Sequence, residues 1–302
     1  MDTGIPYLGE IFALLAPLSW SFAVILFRVS GRMISPIPLN FFKNSLAILL
    51  FVFTAIIAGE GLFRDEPVWT YLLLLASGVM GIGLADMFFF MTLNRVGAGL
   101  QAIINTSYSP FIIFLSMVFL GERLTVMQLF GVAMILGAVL AVTKMKAPSG
   151  SIDRKTMLLG ILFGVSASLT QAVSIVMIKP WLGEWPIYWA NSWRMLGGLI
   201  TMAVFLPLMP GGVARLKELR DKKAWPAMIA GAVLGTYISL IFWLAGMKYT
   251  MASVASSLNQ TSTLFTFILA AVLLREPVTV KRILGIIAGM VGVLLVMFGA
   301  VR

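Results

Sequence analysis

Ten apolar runs, each close to the length a helix needs to cross a bilayer, follow one another from residue 8 to residue 299. A hydrocarbon core takes about 20 apolar residues as a helix. Lipid offers no partner to a bare backbone, so only helices and closed barrels can span it. No stretch alternates apolar and polar residues as barrel strands do. The expected fold class is therefore an all-α polytopic membrane protein with ten transmembrane helices. The spans are expected near 8–28, 38–58, 69–90, 97–119, 124–143, 156–178, 186–208, 224–245, 250–274 and 278–299. Only 11% of the residues are charged, where a soluble domain carries about 25%.

Several function classes fall away at once. The chain has no cysteine and no histidine, which removes disulfides, thiolate chemistry, Cys/His metal sites and histidine proton relays. No cofactor or metal is implied. An intramembrane enzyme needs a convergent acid, base or nucleophile set, and those tools are missing. There is no GxxxxGK[ST] loop to drive a primary pump. The net charge of +10 does not point to nucleic acid, because the Lys and Arg stand mostly in short loops. Topology selects for that placement. MDTGIPYLGE lacks the basic start of a cleavable signal peptide, so the first run is read as a retained span.

The charged turn FLGERLTVMQLFG, which begins at Phe119, is echoed 154 residues later by LLREPVTVKRILG at Leu273. LGEIF at Leu8 aligns with LGILF at Leu159, and NFFK at Asn40 with NSWR at Asn191, both 151 residues apart. Lys43 thereby matches Arg194, and Asn105 matches Asn259. The chain reads as a five-helix repeat over 1–143, a linker over 144–155 (KMKAPSGSIDRK) and a second repeat over 156–302. Five is odd, so the second half enters from the opposite face and the repeats are inverted. That plan is common in secondary transporters. The segment 210–225 (PGGVARLKELRDKKAW) reads as basic and amphipathic, lying on the membrane surface. Lys and Arg concentrate in the odd-numbered loops. The positive-inside rule then places those loops in the cytoplasm and both termini outside.

These residues also resemble a known family. A basic residue early in the second helix of each half (Lys43, Arg194) precedes SYSPFIIFLSMVFLGERLT and the glycine-bearing QLFGVAMILGAVLAV. The second half repeats the pattern as TSTLFTFILAAVLLREPVT and RILGIIAGMVGVLLV. Over essentially its whole length the chain resembles the ten-helix EamA-type members of the drug/metabolite transporter superfamily. Two positions depart: Lys43 stands where such proteins often carry arginine, and Leu264 where Pro110 has its counterpart. Members are often drawn with both termini in the cytoplasm, opposite to the loop charges here. The resemblance implies export or exchange of small metabolites in the cytoplasmic membrane, with amino-acid exporters prominent.

Candidate site residues follow from polarity inside the spans. Gln101, Asn105 and Tyr108 share one face of span 4, and Ser256, Asn259 and Thr263 a similar face of span 9. Such faces either line a wet cavity or bond between helices. Lys43 and Arg194 are intramembrane cations that either hold a substrate anion or, for Lys43 near a helix end, snorkel to the surface. Asp86 has no acidic counterpart, since Leu240 stands at the matching place; it is the candidate for proton coupling or for pairing with Lys43. Trp20, Thr170, Gln171, Tyr237 and Trp243 complete the candidate walls, with aromatic faces suited to apolar solutes or organic cations. Glu122 and Glu276 read as structural turn residues before a helix N-terminus. The expected partners are a small-molecule substrate, protons as coupling ion and the bilayer, with the chain a monomer or a homodimer through its glycine-bearing helices.

Overall fold

A computed structural model of the chain describes residues 7–121, 125–127, 129–131, 133–134, 137, 153–208, 211–259, 261–275 and 278–299. Every regular element among them is helical. The turn residues Glu122 and Glu276, much of span 5 and most of the 144–155 linker lie outside the described residues. Span 1 is Leu8–Ser30, span 2 Pro36–Ile57, span 6 Arg154–Val176, span 7 Ile187–Leu208 and span 10 Val280–Gly299.

Four spans are composite, and they match in pairs. Span 3 runs Val68–Gly78, passes through a π-helical segment, Val79–Leu84, and ends as Ala85–Val96. Span 8 runs Trp225–Gly231, has its own π segment, Ala232–Ile238, and ends as Ser239–Tyr249. Span 4 is Ala98–Asn105 followed by Tyr108–Phe119, and span 9 is Ala252–Asn259 followed by Thr261–Leu273. Gly81 and Gly235 in the two π segments are 154 residues apart, as are Asn105 and Asn259 at the two breaks. The backbone irregularities are thus duplicated along with the sequence. Pro110 explains the first break in part: it has no N–H to reach back to the preceding turn.

Seven described helices are long and apolar enough to cross a membrane, namely spans 1, 2, 3, 4, 6, 8 and 9. Span 7 passes the same test with the 3-10 segment Gly212–Arg220, which turns away from it by 112°. That turn carries the basic 212–220 segment off the span direction, as a segment lying along the membrane surface requires. Local chemistry fixes several ends. Pro36 opens span 2 where its missing N–H costs nothing. Asp153 caps span 6 by accepting from Thr156 N at 2.9 Å and Thr156 Oγ1 at 2.8 Å, and those bonds hold its carboxyl below the usual range.

The halves interleave rather than forming separate lobes. Span 1 packs on spans 8 and 9 of the other half, and span 6 packs on spans 3 and 4. Span 2 meets span 7, and span 4 meets span 9. Matched spans run antiparallel. Asn40, early in span 2, donates to Met202 late in span 7, while Glu60 just past span 2 accepts from Trp189 at the start of span 7. Likewise the first segment of span 4 packs on the second of span 9, and the reverse. Two copies of one unit facing opposite ways give the inverted repeat, with a pseudo-two-fold axis in the membrane plane.

Candidate functional site

Where spans 1, 2, 3, 4 and 6 to 9 converge, they enclose a narrow cavity of about 70 Å³. That is room for a few water molecules in this conformation. The lining is built from repeat-related pairs. Both π segments contribute, through Gly81 with Ile82 and Gly235 with Thr236. Immediately after each π segment come Ala85 and Asp86 on one side, Ser239 and Leu240 on the other. Phe89 pairs with Trp243, Asn105 with Asn259, Lys43 with Arg194 and Trp20 with Gln171. A wider π turn breaks the regular helical face and is frequent at functional sites.

Of the residues expected from sequence, Trp20, Lys43, Asp86, Asn105, Tyr108, Gln171, Arg194, Trp243 and Asn259 meet at this cavity. Five others sit elsewhere. Tyr237 shares a 2.5 Å hydrogen bond with Thr54 and stands edge-on to Phe51, in the seam between spans 2 and 8. Thr170 bonds back to its own helix at Ser166 O. Thr263 donates to Ala102 O at 3.3 Å across the span 4–span 9 seam. Gln101 and Ser256 are buried beside that seam. Sequence reasoning missed Thr236 and Ser239, whose only signal was a pair of small polar residues in an apolar run.

Lys43 is 2% exposed and pairs with Asp86, so it does not snorkel. Arg194 is 3% exposed; its Nε donates to Ser77 Oγ at 3.0 Å and Nη2 to Ser174 Oγ at 3.3 Å. Its Nη1 finds no partner among the described residues, nor does the buried Tyr108 hydroxyl. Lys43, Asp86 and Arg194 are the charged groups among the described residues of the lining, a formal sum of one positive charge. Aromatic pairs line the cavity. The ring centroids of Tyr108 and Trp243 are 6.0 Å apart, and those of Trp20 and Phe89 are 5.4 Å apart.

Both faces of the bundle are tied by matching clamps. On the face carrying the start of span 7, Glu60 Oε2 accepts from Trp189 N at 2.7 Å, and Leu62 O accepts from the indoles of Trp189 and Trp193 at 3.0 Å each. Burial pushes the Glu60 carboxyl up, against the opposing pull of the Trp189 bond. On the opposite face, Glu218 Oε2 accepts from Ser35 N at 2.6 Å, where span 2 begins. An acid from the loop after span 2 thus caps span 7, and one from the loop after span 7 caps span 2.

Inverted halves of membrane helices around a polar cavity at their seam define the class of a polytopic transporter fold. The chain belongs to the EamA-like transporter family, which it matches over residues 7–144 and 158–298. Two proteins of Archaeoglobus fulgidus, each named an uncharacterized transporter, are 21% identical to it. One aligns over 267 residues (88% of this chain, 90% of the relative), the other over 288 residues (95% and 97%). A solved crystal structure that is 16% identical superposes with a TM-score of 0.72 over 97% of both chains. At that identity it speaks to the fold alone.

Proposed function

We propose that the protein is a secondary-active transporter that exports or exchanges small amphipathic metabolites, amino acids or their analogues, by alternating access across the cytoplasmic membrane. The observation that carries this reading is the cavity at the seam of the inverted halves, lined by repeat-related pairs. A lining shared by two inverted units can be presented to either face by nearly equivalent movements. Asp86 is the coupling group in this reading: it exchanges Lys43 for a proton during the cycle. The odd-numbered loops face the cytoplasm and both termini face out, as the loop charges ask.

Counterflow of a labelled solute panel into proteoliposomes, with and without a pH gradient, tests the reading. Saturable flux supports it. Binding without flux supports a membrane scaffold and overturns it. A second reading, export of lipophilic cations, draws on the aromatic faces of Trp20, Tyr108 and Trp243. The positive sum of charge in the lining opposes it.

A further inference from the structure

The structure assigns Arg194 and Tyr108 to an anion subsite that takes the carboxylate of a singly charged organic acid with no ammonium group. This rests on the transport reading but narrows its substrate class, from amino acids to the amine-free acids among their analogues. A guanidinium carries five N–H donors in a planar fork. Two of its nitrogens are held by the hydroxyls of Ser77 and Ser174, which fixes the plane. The third nitrogen, Nη1, is buried and unanswered among the described residues, and so is the Tyr108 hydroxyl. Both residues line the same cavity. A buried donor left unpaired is costly, and a buried unpaired charge more so. A carboxylate oxygen accepts from such donors in short, charge-assisted bonds.

Charge balance sets the rest of the ligand. Asp86 is already matched by Lys43, which leaves one positive charge in the lining. One negative charge neutralises it. An ammonium group would find no free carboxylate among the described residues of the lining, so a zwitterion gains no ion pair for its amine. The apolar body of the acid then lies against Trp243, Phe89 and Ile175. The cavity must widen to admit it, because its present volume is about 70 Å³.

Three solutes with one carbon skeleton separate the charge classes: 3-phenylpropionate, phenylalanine and 2-phenylethylamine. Binding to detergent-purified protein is read by tryptophan fluorescence and flux by counterflow at alkaline pH. The anion is expected to bind at least about ten-fold tighter than either of the others, through its charge-assisted pair. Arg194→Gln is expected to abolish that preference, Arg194→Lys to keep part of it, and Tyr108→Phe, which preserves the ring, to weaken anion binding several-fold. A stronger response to the zwitterion or amine overturns the subsite. So does anion binding untouched by both Arg194→Gln and Tyr108→Phe, or no anion binding at millimolar concentration. Arg194-dependent anion binding without flux of any solute would leave the subsite standing and defeat the transport reading. Flux of another solute, indifferent to Arg194, would do the reverse. If Arg194→Gln does not fold, Tyr108→Phe alone decides.

Discussion

Ser77 and Ser174 each donate a hydroxyl hydrogen bond to the other's backbone carbonyl, both at 2.8 Å. The pair ties span 3 of one half to span 6 of the other. Both hydroxyl oxygens also accept from Arg194, so three spans meet at one fully buried knot. Small hydroxyl residues let membrane helices approach closely and bond across the seam.

Removing either serine should therefore cost more than one hydrogen bond. Ser77→Ala leaves Arg194 Nε unanswered, and Ser174→Ala does the same to Nη2; each is expected to cost about 1–3 kcal/mol. The two changes share partners, so the double variant should depart from additivity by about 0.5 kcal/mol or more. Unfolding titrations of the four proteins in one detergent measure this. Strict additivity means the knot is not a unit.

The Lys43–Asp86 pair makes an asymmetric prediction, because Leu240 stands where the repeat would place a second acid. Asp86→Leu strands a buried lysine and is expected to cost about 3–5 kcal/mol. Lys43→Met together with Asp86→Leu removes both charges and should recover much of that stability. Proton-driven flux should be lost in Asp86→Asn even where the protein folds. Unchanged gradient-driven flux in that variant would remove Asp86 from coupling.

Gly78 sits where span 3 touches span 7. A Cβ placed there would lie 1.9 Å from the Arg194 carbonyl oxygen, a backbone atom with no room to give. Gly78→Ala should therefore destabilise by about 1–3 kcal/mol or more. Gly285→Ala is the control: its Cβ would meet Ile103 Cδ1 at 3.8 Å, ordinary contact. That variant should be neutral to slightly stabilising through helix propensity. Equal thermal shifts for the two would contradict the packing at the span 3–span 7 seam.

Glu60 gives the clamp on the span 7 face a pH dependence. Its carboxyl is raised above the ordinary 4.5, chiefly by burial. A raised acid binds its proton more tightly in the folded state. Its stabilising share is complete below the ordinary value and is lost as pH climbs through the raised one. Wild-type protein should lose thermal stability from about pH 4.5 upward through the Glu60 titration. Glu60→Gln keeps an acceptor for Trp189 N and should flatten that slope; identical slopes would rule Glu60 out.

How much was legible beforehand varies with the residue. Lys43, Arg194, Asn105 and Asn259 stood out because polar groups in apolar runs are costly and need a reason. Tyr237 was misplaced for an instructive cause. It lies in the π segment of span 8, where the wider turn shifts the helical face, so Thr236 enters the cavity and Tyr237 turns to Thr54. A reading at the ordinary helical period cannot find that shift.

Hydropathy and the echoed turn were enough to expect the membrane class and two opposed halves, because each is a property of short segments and their count. The meeting of Arg194 with Ser77 and Ser174, the answer of Asp86 to Lys43, and the unanswered Arg194 Nη1 and Tyr108 hydroxyl came only with the packed chain. Those groups stand on different spans, and which faces touch is decided by how closely glycines and serines let helices approach. That is a matter of tertiary packing, which no single segment encodes.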